Sequence, residues 1–127
     1  MDNTVKTEAR YFRYPSFHRI HAYHRPSETV KGSISFEDGG RIYGRPVDPA
    51  YWTLIGQLDQ PIPPPLKVDP VEYKFERVLD MNGPFRGHIG RGELFIIYER
   101  GATITGKVAG LDSYVYPIQG ETTVPSR

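Results

Sequence analysis

From residue 71 to residue 82 the odd positions are apolar except Arg77, and the even positions are polar except Val78. Ten of these twelve positions follow a period of two, and Val, Tyr and Phe are among them, which favours a strand with one buried face. A helical reading competes, with Val71, Phe75, Val78 and Leu79 on one face behind the start signal Asp69-Pro70-Val71-Glu72; the alternation outweighs it. Residues 93 to 98, Glu-Leu-Phe-Ile-Ile-Tyr, are the most apolar segment and predict a strand central to a sheet. Residues 29 to 36, then Glu37-Asp38-Gly39-Gly40, then Arg41-Ile42-Tyr43 form the best hairpin signal. Further strands are expected over 10 to 24, 85 to 89, 102 to 108 and 113 to 118. Asp48, Pro49 and Gly56 frame Ala50 to Ile55 as a cap, a first helical position and a stop, which predicts one short helix over residues 49 to 55.

Composition narrows this picture. The 12 Pro and 13 Gly of the 127 residues leave only two unbroken runs longer than ten residues, 1 to 14 and 71 to 82. Helices of ordinary length have almost no room. With 38% hydrophobic and 13% aromatic residues the chain is too apolar for a disordered one. The expectation is therefore a single all-β domain, an antiparallel β-sandwich or β-barrel, with residues 1 to 9 and 119 to 127 as extended arms. Residues 58 to 70, which hold Pro61-Ile62-Pro63-Pro64-Pro65-Leu66-Lys67, read as a stiff connector.

Charge and missing residue types then limit the chemistry. Without Cys there is no disulfide, thiol nucleophile or Cys-based zinc site. The expected absence of a signal-peptide core and of a long apolar run points to cytoplasmic synthesis and no membrane partner. The net charge of +1 hides an uneven spread, because residues 1 to 31 hold six Lys or Arg against three acids and three of the four His.

The candidate partner-binding residues lie in that basic, aromatic stretch: Arg10, Tyr11, Arg13, Tyr14, Phe17, His18, Arg19, His21, Tyr23, His24 and Arg25. Interleaved aromatics and Arg suit single-stranded nucleic acid, where rings stack on bases and guanidinium groups meet phosphates. His18, His21 and His24 recur every third residue, but Glu28 is the only close downstream acid and the spacing departs from the paired-His cupin metal motif. No metal or other cofactor is expected.

Residues 101 to 108, Gly-Ala-Thr-Ile-Thr-Gly-Lys-Val, resemble a Walker A loop but put Val108 where magnesium needs Ser or Thr; an alternating strand accounts for them. Gly87-His88-Ile89-Gly90 resembles the KH-domain clamp and is read as a tight turn. No nucleophile elbow or zinc-protease motif occurs.

The expectation is a non-enzymatic structural or assembly protein that forms homo-oligomers through protein–protein contacts. Its arms, aromatics and Cys-free β architecture resemble small virion proteins that decorate capsids or join head to tail in phages, which would place it in a virion. A single-stranded nucleic-acid-binding barrel using residues 10 to 25 is the alternative. A small barrel enzyme with a His-based site comes third.

Overall fold

A strand that alternates buried and solvent-facing residues must cover its apolar face, and a set of eight such strands does so by curling into a closed wall. In the computed structural model, which describes residues 28–47, 52–62, 65–109 and 115–125, the strands are β1 Glu28–Phe36, β2 Arg41–Pro46, β3 Leu54–Leu58, β4 Leu66–Phe75, β5 Gly83–Gly90, β6 Glu93–Tyr98, β7 Thr103–Lys107 and β8 Val115–Thr123. They form a closed barrel in the order β4-β1-β2-β3-β8-β5-β6-β7, with β7 returning to β4. Every pairing is antiparallel. In each half three strands form a meander and the fourth returns beside the first, so the barrel is two Greek keys in tandem.

The registers stack the interior in layers. One inward rung runs Val30, Tyr73, Ile104, Ile96, Gly87 and Ile118 from β1 to β8. Ile34, Phe36, Ile42, Leu54, Phe85, Ile89, Leu94 and Tyr98 fill the rungs on either side, each 0–1% exposed. Trp52 packs edge-on against Tyr73 and Phe75, at centroid distances of 5.2 and 5.9 Å. At two buried positions the neighbouring strand leaves no room for a side chain: a Cβ on Gly87 would stand 1.9 Å from the Phe95 carbonyl oxygen, and one on Gly120 would stand 2.2 Å from that of Gln57.

The expected hairpin forms, with Phe36 opposite Ile42 and both Gly39 and Gly40 at positive φ. Residues 93 to 98 form β6, bounded by Gly92 and Gly101 as turn residues. Its expected central place has no meaning in a closed wall. Strand alternation over 71 to 82 holds only as far as Phe75. Beyond it Val78–Met81 turn as a short 3₁₀ segment, because the Asp80 carboxylate accepts from the Arg77 backbone N–H at 3.2 Å and Met81 is drawn fully into the core.

Four other expectations need correction. Leu54 and Ile55, placed in the helix over 49 to 55, belong to strand β3, and Trp52 and Thr53 are not helical; pairing with β2 and β8 overrides the cap and stop signals. The connector over 58 to 70 is shorter, since Leu58 ends β3 and Leu66 begins β4. Pro70 fits inside β4 because the register to β1 shifts between Ile34↔Val68 and Gly32↔Val71, so its missing N–H falls at a bulge and breaks no ladder bond. The arm over 119 to 127 is largely strand, with Gly120, Thr122 and Val124 buried. Residues 87 to 90 lie within β5, and the turn comes one step later at Arg91-Gly92. The arm over 1 to 9 lies outside the described residues.

Candidate functional site

Arg10, Tyr11, Arg13, Tyr14, Phe17, His18, Arg19, His21, Tyr23, His24 and Arg25 all lie outside the described residues. Among the described residues no group of three or more His, Asp or Glu is placed to hold a metal ion.

The barrel interior is packed with side chains, and its few polar groups are used internally. The Tyr73 hydroxyl donates to the Ser33 carbonyl. Tyr98 donates to Thr122 Oγ1 at 2.7 Å, and Thr122 in turn donates to the Met81 carbonyl at 2.6 Å. Burial pushes both phenols well above their ordinary range, because a phenolate would lose its water there. These groups hold the structure and face no solvent-filled space.

Most of the other polar side chains of the described residues stand on the outer wall. His88, the one histidine among the described residues, is directed outward from β5 with its side chain 13% exposed. Its Nε2 lies 2.9 Å from Glu93 Oε2, and its ring lies against Phe95 at a centroid distance of 5.8 Å.

A second outer feature spans β2, β3 and β8. Tyr43 and Ile55 stand directly opposite each other and remain 37% and 44% exposed. Their rung continues to Thr123 on β8, and the next rung is Arg41, Gln57 and Glu121. Arg45 lies on the far side of Tyr43 along the exposed face of β2. An apolar centre is thus rimmed by cations on one flank and a carboxylate on the other. Arg41 and Glu121 are two strands apart, about 10 Å, and make no ion pair with each other.

Sequence reasoning missed this face for a local reason. The alternation Arg41, Tyr43, Arg45 was available within the hairpin and marks Tyr43 as an outward aromatic. Ile55 falls within the helix expected over 49 to 55, which hides its pairing with Tyr43.

A third feature is a groove of about 510 Å³ where β4 joins β7 beside the β5–β6 turn. Lys31, Arg91 and Lys107 stand around it over an apolar lining that includes Pro70, Val71, Leu94 and Phe95. Comparison with protein-family models, with curated proteins and with solved structures finds no match for this chain.

Proposed function

We propose that this chain is a non-enzymatic assembly subunit whose β2–β3–β8 wall packs against a second copy of itself. The observation that carries the reading is the exposed Tyr43–Ile55 pair at the middle of a wall whose rim bears Arg41 and Arg45 on one side and Glu121 on the other. A two-fold axis along β3 lays Ile55 of one copy over Ile55 of the other and brings Arg41 against Glu121, two charges that form no ion pair with each other within one barrel. An apolar centre with a charged rim is the arrangement that buries area while fixing register. Barrel closure supports the same direction, since a wall without edges associates through its faces and not by adding strands. Within this class the narrower reading is a small virion component of the type that decorates phage capsids or joins head to tail, where symmetry multiplies modest contacts.

Size-exclusion chromatography with light scattering tests the reading. Wild-type protein is expected to run as an oligomer that dissociates on dilution, and Ile55→Glu as a monomer with an unchanged circular dichroism spectrum. Arg41→Glu should weaken association and Arg41→Glu combined with Glu121→Arg should restore it. A wild-type monomer at every concentration up to the solubility limit would refute the proposal.

A further inference from the structure

The groove between β4 and β7 is separate from the proposed subunit interface, and its electrostatics are unbalanced in a specific way. Five charged residues line it: Lys31, Glu72, Arg91, Glu93 and Lys107. Both acids are already engaged outside the trio of cations, Glu72 by Lys74 at 3.6 Å and Glu93 by His88 at 2.9 Å. Lys31 and Lys107 stand directly across the ladder from those same acids, yet neither they nor Arg91 form an ion pair among the described residues. Three exposed cations are left around one recess.

Backbone geometry singles out Arg91. The β5–β6 hairpin closes through the two-residue turn Arg91-Gly92, at φ 53° and 84°, with Gly90 opposite Glu93. Left-handed conformation at both turn positions defines the primed turn, in which Gly, Asn and Asp are the favoured residues. Arg91 is the only residue other than Gly with positive φ among the described residues. A long basic side chain at the position that least favours one is explained by what the side chain does, since the turn would form more easily without it.

The lining supplies the rest. Pro70 is exposed and Phe95 presents a half-buried ring, with the buried Val71 and Leu94 beneath them as floor. A volume of about 510 Å³ is that of a small-molecule site, in which an apolar surface holds the body of a ligand and a few charged groups orient it.

We infer that this groove binds a phosphate ester of nucleotide size, its phosphates held by Arg91, Lys31 and Lys107 and its flat apolar part lying against Pro70 and Phe95. The guanidinium of Arg91 gives forked donation to phosphate oxygens, and the two ammonium groups add charge without fixed geometry. The site does not depend on the oligomeric state.

The test is a titration of the ¹⁵N-labelled full chain, followed by amide shifts, with adenosine diphosphate, pyrophosphate and adenosine in separate arms. Adenosine diphosphate should bind most tightly, moving the amides of Arg91, Gly92, Phe95 and Lys107. Pyrophosphate should move the first two and Lys107 more weakly, and adenosine none. Arg91→Asn should weaken adenosine diphosphate binding about tenfold while leaving the melting temperature equal or higher, and Arg77→Ala, which removes a cation far from the groove, should leave affinity unchanged. Absence of shifts at these amides with adenosine diphosphate would overturn the inference. Equal weakening by Arg77→Ala would do the same, since it would mean diffuse charge attraction. So would an Arg91→Asn variant that loses stability but keeps its affinity.

Discussion

Substituting Tyr98 should have opposite effects on stability depending on what occupies position 122. Tyr98 and Thr122 are 1% and 3% exposed, and the relay from the phenol through Thr122 Oγ1 to the Met81 carbonyl spans 2.7 and 2.6 Å. Thr122 has one hydroxyl proton and gives it to Met81, so the phenol must donate in the first link. Tyr98→Phe removes that link and leaves no unpaired donor, a loss of about 1 kcal/mol. Thr122→Val keeps the shape but strands two groups in the core, the Tyr98 hydroxyl and the Met81 carbonyl. At about 1–2 kcal/mol each, the cost is about 3 kcal/mol. The double variant strands only the carbonyl and should cost about 2 kcal/mol. At roughly 4 °C per kcal/mol for a domain of this size, the expected melting temperatures lie about 4, 12 and 8 °C below wild type, read by differential scanning calorimetry. Tyr98→Phe therefore lowers stability in the wild-type background and raises it in Thr122→Val. Equal losses in both backgrounds would show that the relay does not exist and that the two residues only fill space.

Alkaline pH should unfold the barrel. With Tyr73 and Tyr98 both raised by burial, the folded state keeps protons that the unfolded chain releases above pH ~10, so stability is full below that pH and falls above it. The slope is about 1.4 kcal/mol per pH unit for each phenol. Denaturant midpoints measured from pH 8 to pH 12 check this, and a flat profile contradicts it. Gly87→Ala puts a Cβ within 1.9 Å of backbone that cannot yield, and should cost more than ~3 kcal/mol or prevent soluble folding. Gly92→Asn, in the same hairpin but with open space around its Cβ position and φ 84°, should stay within about 1 kcal/mol of wild type. Similar melting temperatures for the two variants would refute the crowding argument.

Strands with an apolar residue at every second position and a Gly-rich boundary were legible in the sequence, as residues 93 to 98 and the hairpin around Gly39-Gly40 show. β8 was legible only over residues 115 to 118, because its later inward positions are Gly120 and Thr122, which hydropathy does not register as core: one is there for lack of space and the other for a hydrogen bond. β4 was obscured by Pro70, whose position at a bulge depends on a register with β1 that no local pattern encodes. The choice of barrel over sandwich was also out of reach, since β3 meets β8 and β1 meets β4 across long stretches of chain. The candidate residues of the basic amino-terminal stretch were legible as a composition and lie outside the described residues. The groove cations could not be found by reading along the chain, because Lys31, Arg91 and Lys107 come from three separate strands or turns.

The position of β8 between β3 and β5 gives one strand control over whether the described wall has edges at all. β8 pairs with β3 on one side and with β5 on the other, so its release alone opens a seam whose two lips carry unpaired backbone groups. The other seven described strands stay joined to one another through the β1–β4 and β4–β7 ladders, and the opened wall keeps its curvature. Such a seam accepts the β8 of another copy as readily as its own, which makes strand exchange the way this barrel would link to itself if β8 came loose.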